Sequence, residues 1–443
     1  MTMRRKSVQI VTLGCSKNTV DTEHILYQVR DSLEIVPAGV ESDYVDFLLL
    51  NTCGFIGDAK EESISAIFEA VSRKQEGHVG RLIVFGCLSQ RYAKEMPELI
   101  PEVDEWYGAR DFDPVIRALG VEPKDCDRTG RFFTEDHPGS AYLKISEGCN
   151  RRCSYCAISG IRGPHVSVPI EKLVEEASLL ASGGVKELIL IAQDTTYYGL
   201  DIYGRRALAE LLRSLSGVEG IEWIRIHYSY PTDFPEDVLD EMASNPKVCP
   251  YMDIPLQHVS DKVLDMMHRH CTGEITRSLV RRLREKVPGV ALRTTMIVGF
   301  PGEGEAEFEE LLDFVRETRF ERLGAFTYSE EEGTYGAEHF ADDIPQEEKE
   351  ERLSRLMDIQ RQISSEFNLS RVGTEERVIV DGFTEDSLVC RSRLESLEVD
   401  GEILVKYVPE RLGGRSREDL VGEFINVKIT AADDYDLVAE PVI

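Results

Sequence analysis

Short apolar segments alternate with helical segments along most of this 443-residue chain. Near the N-terminus, the apolar segments are Ser7–Leu13, Val45–Asn51 and Leu82–Phe85. Each is followed by residues with helical spacing. Strands that are apolar on both faces and are joined through helices form parallel sheets covered on both sides. The sequence therefore predicts an α/β fold, with a parallel sheet in a first domain over residues 1–120.

A second alternating series starts near Ala141. Segments such as Glu171–Ala181 and Glu305–Arg316 have helical spacing and separate six predicted strands. The strands are Tyr142–Glu147, Glu187–Ala192, Trp223–His227, Met252–Leu256, Leu292–Val298 and Leu323–Tyr328. Six such units predict a partial (β/α)6 barrel over residues 141–370, and barrel active sites lie at the C-terminal ends of the strands.

The remaining segments differ in composition. Residues 121–140 are rich in Pro, Gly, Asp and Thr without periodicity, which is typical of a linker. Gln346 to Asn368 has the pattern of a charged helix at the end of the barrel domain. Residues 371–443 contain short alternating strands, which predict a small β-barrel.

Three cysteines follow the first predicted barrel strand in the spacing C-x3-C-x2-C: Cys149, Cys153 and Cys156. Thiolates are the usual ligands of iron–sulfur clusters, and three ligands leave one iron of a [4Fe–4S] cube open to a small molecule. A structural zinc site is the alternative, but zinc needs four ligands and no second C-x2-C or H-x3-H pair is present. The spacing favours the cluster.

Three further cysteines each come just after a predicted strand of the first domain: Cys15, Cys53 and Cys87. Ligands of open parallel sheets bind at the carboxyl ends of the strands, so these thiols could converge on one point. The alternative is three unrelated buried cysteines, a residue type common in cores. The repeated placement favours a second three-cysteine metal site.

The segment Gly148–Cys156 resembles the cluster loop of the radical S-adenosylmethionine (SAM) enzymes. The segments LGCSKN, NTCGFIGDAKEESI and GCLSQRY resemble the methylthiotransferases within that family. The resemblance is to the branch that modifies a ribosomal protein, because the tRNA-modifying branch carries Gln-Met in place of Ser16-Lys17. Residues 371–443 resemble a TRAM domain.

This resemblance implies two [4Fe–4S] clusters and SAM as cofactors. Cys149, Cys153 and Cys156 would be the catalytic cluster ligands, and Tyr155 would lie beside the cofactor. The other three cysteines would bind the cluster that holds the sulfur. The implied reaction adds a methylthio group to the β-carbon of an aspartate in the twelfth small-subunit ribosomal protein, with an external electron donor. The glycines of Ile297–Glu303 would approach SAM.

The net charge bears on the partner. The chain has 81 acidic and 51 basic residues, and residues 371–443 alone have 17 acidic and 9 basic residues. Nucleic-acid binding needs a basic surface, so we expect no large nucleic-acid interface. The overall acidity favours a basic partner or simply solubility, and the acidic C-terminal domain favours a basic protein as the substrate. Two alternatives remain: a tRNA isopentenyl-adenosine methylthiotransferase, and a non-catalytic metal-binding scaffold on the ribosome.

The sequence also bears on location. No run approaches the roughly 18 apolar residues of a membrane span. The N-terminus enters a predicted strand without a cleavable apolar segment. We therefore expect a cytoplasmic protein without a membrane partner.

Overall fold

A computed structural model describes residues 4–40, 42–133 and 139–442. The first domain is a five-stranded parallel sheet in the order β2-β1-β3-β4-β5. Its strands are β1 (Ser7–Thr12), β2 (Glu34–Val36), β3 (Val45–Thr52), β4 (Val79–Gly86) and β5 (Glu105–Trp106). Its helices are α1 (Ser16–Val29), α2 (Gly57–Gln75), α3 (Cys87–Arg91), α4 (Met96–Leu99) and α5 (Asp113–Ala118).

Apolar side chains on both faces of this sheet are buried. Phe47 and Leu49 of β3 pack with residues of α1 and α5, whereas Leu48 and Leu50 pack against α2. Successive residues of a strand point to opposite faces, so a run of apolar residues fills two cores at once. The predicted parallel sheet is confirmed, and the structure adds the short edge strands β2 and β5.

The central domain is built on a six-stranded parallel sheet in the order β13-β12-β11-β10-β9-β6, and β7 pairs separately with β8. The strands are β6 (Ser140–Lys144), β7 (Ser146–Glu147), β8 (Val166–Ser167), β9 (Glu187–Ile191), β10 (Trp223–Ile226), β11 (Val248–Asp253), β12 (Ala291–Val298) and β13 (Arg322–Thr327). The helices are α6 (Ile158–Arg162), α7 (Ile170–Ser182), α8 (Leu208–Ser216), α9 (Glu236–Ser244), α10 (Asp261–Met266), α11 (Gly273–Lys286), α12 (Glu305–Thr318), α13 (Tyr335–His339) and α14 (Gln346–Arg371). The predicted partial (β/α)6 barrel is confirmed.

The C-terminal domain is a closed barrel in the order β14-β15-β16-β18-β17. Its strands are β14 (Glu375–Phe383), β15 (Ser387–Arg391), β16 (Ile403–Lys406), β17 (Phe424–Ala432) and β18 (Leu437–Pro441). The predicted small β-barrel is confirmed. Of the predicted linker, residues 134–138 lie outside the described residues, while Arg131 forms buried ion pairs with Glu23 of α1 and Glu176 of α7.

The loop between β15 and β16 covers the sheet face of the central domain that its helices leave open. Ser396 of this loop hydrogen-bonds His227 with 2.6 Å between Oγ and Nε2. Asp400 of the same loop accepts a hydrogen bond of 2.7 Å from the Tyr251 hydroxyl. The C-terminal domain is therefore docked onto the inner face of the partial barrel.

A buried ionic network holds this docking in place. Glu187, at the start of β9, accepts hydrogen bonds from Arg225 at 2.9 Å and from Arg391 of β15 at 2.7 Å. Burial alone would raise the pKa of Glu187, but Arg391 and Arg225 outweigh it and lower the pKa to about 2. The carboxylate therefore stays charged at neutral pH. Within the described residues, no helix has the length and apolarity that a membrane crossing requires.

We expect Glu187→Gln to remove an acid-sensitive part of the stability. Because the pKa of Glu187 falls from 4.5 to about 2 on folding, its contribution is complete above about pH 4.5 and is lost as the pH falls toward 2. A shift of this size corresponds to roughly 3 kcal/mol. Urea unfolding followed by circular dichroism should show a smaller loss of stability between about pH 5 and pH 3 in the variant than in the wild type.

The matched control is Glu219→Gln, which changes an exposed glutamate. This variant should lose stability with falling pH as the wild type does. An acid profile of Glu187→Gln that matches the wild type would contradict the role of this ion pair.

Candidate functional site

The C-x3-C-x2-C segment forms a loop between β7 and α6. Gly148 begins the loop with a φ of +77°, and a Cβ atom there would lie 2.1 Å from the Pro164 carbonyl oxygen. Only glycine fits this position without strain. The Cys149 amide then donates a hydrogen bond of 3.0 Å to the Gly163 carbonyl. The start of the loop is thus fixed against the end of α6.

The rest of the loop is fixed by the segment after α10. The Ser154 hydroxyl and amide donate to the carbonyls of Met266 and Met267, at 2.7 and 3.0 Å. Arg269 is buried, and its Nη1 lies 3.5 Å from the Cys153 sulfur and 3.3 Å from the Tyr155 hydroxyl. Hydrogen bonds from a guanidinium stabilise sulfur in its anionic form. Arg269 is therefore placed to support a thiolate at Cys153.

The thiols of this loop need a cation to ionise. Burial raises the pKa of Cys149 to about 11, and burial together with repulsion from Cys153 raises the pKa of Cys156 to about 12. Metals and clusters bind the thiolate and supply the compensating charge. The donor set of three half-buried sulfurs with guanidinium support therefore fits an iron–sulfur cluster.

Cys15, Cys53 and Cys87 lie at one edge of the first domain. They follow β1, β3 and β4, which are adjacent in the sheet. A glycine stands next to each of these cysteines and lets the loops approach closely. A Cβ on Gly14 would lie 2.9 Å from the Cys53 sulfur, and a Cβ on Gly54 would lie 2.6 Å from Leu88 Cα. The structure thus brings together the strand ends that carry the three thiols.

Among the described residues, no three His, Cys, Asp or Glu side chains are close enough to share one metal ion. In a cluster, each thiolate binds a different iron atom. The cysteines of one set therefore need not meet at a single point. Both sets have the composition of three-thiolate cluster sites.

Arg162 connects the two sets. It is a buried residue at the end of α6, directly after the first cysteine loop, and its Nε lies 3.2 Å from the Cys87 sulfur. Its Nη1 donates to Asp21 of α1 at 2.9 Å and to Glu147 at 3.1 Å. One side chain thus contacts the sulfur of one set and the residue that precedes the loop of the other.

Polar residues after β9 line the same face. Gln193 donates a hydrogen bond of 2.6 Å to Glu147, and Asp194 accepts a hydrogen bond of 2.8 Å from Arg151 of the cysteine loop. Both residues therefore contact this loop or the residue before it. Gln193 Oε1 and Arg151 Nη2 are buried and have no hydrogen-bond partner among the described residues. These two atoms remain available to a ligand.

The glycines after β12 lie close to other parts of the chain. A Cβ on Gly299 would lie 2.4 Å from Lys349 Cγ, and a Cβ on Gly302 would lie 2.6 Å from the sulfur of Met266. These glycines therefore make room for side chains of the protein itself. Phe300 between them packs edge-on against Tyr155, with 6.5 Å between ring centroids.

Sequence reasoning missed three cations at this face: Lys17, Arg162 and Arg269. Arg162 and Lys17 lie close in sequence to cysteines, so a search for basic residues beside each motif could have found them. Arg269 is 116 residues from Cys153, and no spacing rule connects the two. Its position depends on the segment after α10, which only the folded chain reveals.

The relatives of this chain are full-length matches. It is 47% identical over 442 residues to the ribosomal protein uS12 methylthiotransferase RimO of Bacteroides thetaiotaomicron, covering 99% of both chains. It is 46% identical over 440 residues to the RimO of Flavobacterium johnsoniae, again covering 99% of each. The chain belongs to the RimO family.

Family models divide the chain in three. A model described as uncharacterized protein family UPF0004 matches residues 7–108, the radical SAM superfamily matches residues 143–315, and a TRAM domain matches residues 372–442. The segments that contain Cys15, Cys53 and Cys87, and then Cys149, Cys153 and Cys156, thus lie in two different family models.

Solved structures share the fold at low identity. The radical SAM methyltransferase TsrM of Kitasatospora setae, with cobalamin and a [4Fe–4S] cluster bound, matches with a TM-score of 0.55 and 13% identity, over 73% of this chain and 72% of that one. The cobalamin-dependent radical SAM enzyme OxsB matches with a TM-score of 0.51 and 14% identity, over 81% of this chain and 56% of that one. At these identities the match establishes the architecture alone.

We expect Gly14→Ala to destabilise the first domain. Gly14 has a φ of +94°, and an alanine Cβ would lie 2.6 Å from Cys53 Cβ. Strain at such a position costs about 1–3 kcal/mol. Thermal unfolding should show a melting temperature lower by several degrees. Gly57→Ala is the matched control, because nothing lies within 4 Å of a Cβ there. Equal melting temperatures for the two variants would contradict the close contact between the loops.

Proposed function

We propose that this protein is a radical SAM methylthiotransferase that adds a methylthio group to the β-carbon of an aspartate in ribosomal protein uS12. One observation carries the proposal. In a chain of the RimO family, the loops of two cysteine triplets face each other across Arg162, which contacts both Cys87 and Glu147. A reaction that needs both an activated carbon and a sulfur donor needs two such centres close together.

Each triplet would hold one [4Fe–4S] cluster. Cys149, Cys153 and Cys156 would hold the cluster that binds SAM, with Tyr155 beside the cofactor, and Cys15, Cys53 and Cys87 would hold the other. When bound, SAM and the two clusters supply hydrogen abstraction from an unactivated carbon, a methyl group and the transferred sulfur, with electrons from an external donor. Because each triplet supplies three thiolates, one iron of each cluster would be left without a protein ligand and would be open to these reactants.

The residues of the chain position these groups. Arg269 donates a hydrogen bond to Cys153 and Arg162 donates one to Cys87, so each triplet has one guanidinium on one sulfur. Such donors stabilise anionic sulfur and tune the potential of a cluster. Arg151 and Gln193 direct buried polar atoms with no partner among the described residues toward the same face. The reaction needs no general base, because hydrogen is removed as an atom.

The acidic surface favours a basic protein over RNA as the substrate. Residues 371–443 contain 17 acidic and 9 basic residues, so this TRAM domain carries the wrong charge for phosphate binding. We propose that the protein has no large nucleic-acid interface and recognises uS12 through charge complementarity. A ribosomal substrate would be met in the cytoplasm.

We propose a separate function for each of the three predicted domains. Residues 1–120 would hold the sulfur-donating cluster, residues 141–370 would hold SAM and its cluster, and residues 371–443 would bind the substrate. Residues 121–140 would connect the first two domains.

The tRNA-modifying alternative is tested with purified components. Reconstituted enzyme is incubated anaerobically with SAM, sulfide and reductant, and with either uS12 or isopentenylated tRNA. We expect a methylthio product on uS12 alone. Product on the tRNA alone would contradict the proposal, and binding of zinc without SAM cleavage would favour the scaffold alternative.

Cysteine variants test the roles of the two triplets. We expect Cys149→Ala, Cys153→Ala and Cys156→Ala together to leave about half of the iron and to abolish SAM cleavage. The matched variant with alanine at Cys15, Cys53 and Cys87 should also keep about half of the iron, but should still cleave SAM and make no methylthio product. Iron, sulfide and 5′-deoxyadenosine are measured. SAM cleavage by the first variant would reverse the assignment.

A further inference from the structure

Lys17 lies between the two cysteine sites. It is in the first turn of α1, where the amides of Asn18 and Thr19 donate to the Cys15 carbonyl. Its ammonium leaves the first domain and lies over the ring of Tyr228, 3.3 Å from the ring centroid. Tyr228 follows β10 of the central domain, so Lys17 crosses from the edge with Cys15 to the face of the partial barrel.

Tyr228 is held firmly in this position. Its amide donates a hydrogen bond of 2.9 Å to the Asp253 carboxylate, and its carbonyl accepts a hydrogen bond of 3.1 Å from the Thr195 amide. It has a φ of +56°, which is strained for a residue with a bulky side chain. These backbone contacts therefore hold the Tyr228 ring in its position under the Lys17 ammonium.

The ammonium of Lys17 is buried without an anion. Only 8% of the residue is exposed, and among the described residues no hydrogen bond or ion pair reaches its side chain. Three aspartates on the neighbouring elements are paired with other cations. These pairs are Asp21 with Lys144 and Arg162, Asp194 with Arg151, and Asp253 with Arg293.

A buried cation without a partner is costly. Removing an ammonium from water costs more free energy than a single cation–π contact returns. The Tyr228 ring therefore offsets only part of this cost. An apolar side chain of similar length would pack over the same ring without the penalty, so packing alone does not explain a lysine here. An anionic ligand bound at this position would explain the lysine.

We infer that Lys17 binds the side-chain carboxylate of the substrate aspartate, which rests on the proposed function. A substrate carbon that gives up hydrogen at the SAM site and receives sulfur from the other site must lie between them. Lys17 is two residues from Cys15, and its ammonium reaches Tyr228, which follows β10 at the carboxyl end of the central sheet. An ammonium on the carboxylate would fix the adjacent β-carbon between the two centres, and it would select aspartate over its neutral isostere asparagine.

The test measures binding as well as turnover. Reconstituted enzyme with SAM and without reductant is titrated with uS12 and with uS12 whose target aspartate is replaced by asparagine. Wild-type enzyme should bind the aspartate form about 10- to 100-fold more tightly, the size expected of a charged hydrogen bond. In Lys17→Met this preference should fall to about twofold or less, and Lys17→Arg should restore part of it.

Lys6→Met is the matched control. Lys6 is an exposed lysine of the same domain that also lies over a ring, 5.3 Å from the centroid of Phe47. This variant should keep the full preference for aspartate. Iron content and SAM binding should stay at wild-type values in Lys17→Met, which separates substrate binding from assembly of the site.

Three results would overturn the inference: equal binding of both forms of uS12 by the wild type, an undiminished preference in Lys17→Met, or an equal weakening of both forms in that variant. The last result would indicate a purely structural role. If the wild-type enzyme modifies uS12 and one of these results is found, the proposed function stands and only the role of Lys17 fails. If the wild type does not modify uS12, the proposed function fails and the inference fails with it.

Discussion

The buried guanidinium of Arg162 is the interaction on which the arrangement of this molecule depends. It pairs with Asp21 of the first domain and Glu147 of the second, and it reaches the Cys87 sulfur at 3.2 Å. Buried carboxylates are costly unless they are paired, and removing one partner of such a pair costs about 3–5 kcal/mol. The position of one domain is therefore linked energetically to that of the other. Because Arg162 ends the helix after the C-x3-C-x2-C loop, the same contact sets the separation of the two cysteine triplets.

The other contacts between domains keep the substrate side accessible. Helices cover one face of the central sheet, and the loop between β15 and β16 covers part of the other face through Ser396 and Asp400. Glu187 joins this loop's strand to the barrel through Arg391. The first domain meets the carboxyl ends of the central strands, where Lys17 reaches Tyr228. Lys17 and Arg162 thus join the first domain to the central domain on the side that carries both sets of cysteines.

Much of this architecture could be predicted from the sequence. Apolar runs such as that in Val45–Asn51 identified the central strands, because a strand buried on both faces is apolar at most positions. The edge strands β2 and β5 were missed, because they have three and two residues and no apolar run. The closure of the C-terminal barrel depends on long-range pairing of β16 with β18, which follows the acidic residues 433–436, and no local pattern predicts this pairing.

The two cysteine sets were also evident from the sequence, because each cysteine follows a strand or belongs to a tight motif. The cationic side chains around the cysteines were not evident from the sequence. Arg269 and Lys17 act on the site through tertiary contacts, and the charge of a residue does not reveal which sulfur or ring it will meet. The close packing of Lys349 beside Gly299 was likewise beyond the reach of the sequence, because it joins the residue after β12 to a helix that begins only at Gln346.

The most direct test of the central claim is the intact mass of uS12 purified from cells with and without this gene, followed by fragmentation to locate the modified residue. The account predicts that uS12 from cells with the gene is heavier by one methylthio group on a single aspartate, and that uS12 from the deletion strain is unmodified. Identical uS12 masses in the two strains, with methylthio-adenosine lost from the tRNA of the deletion strain, would contradict it.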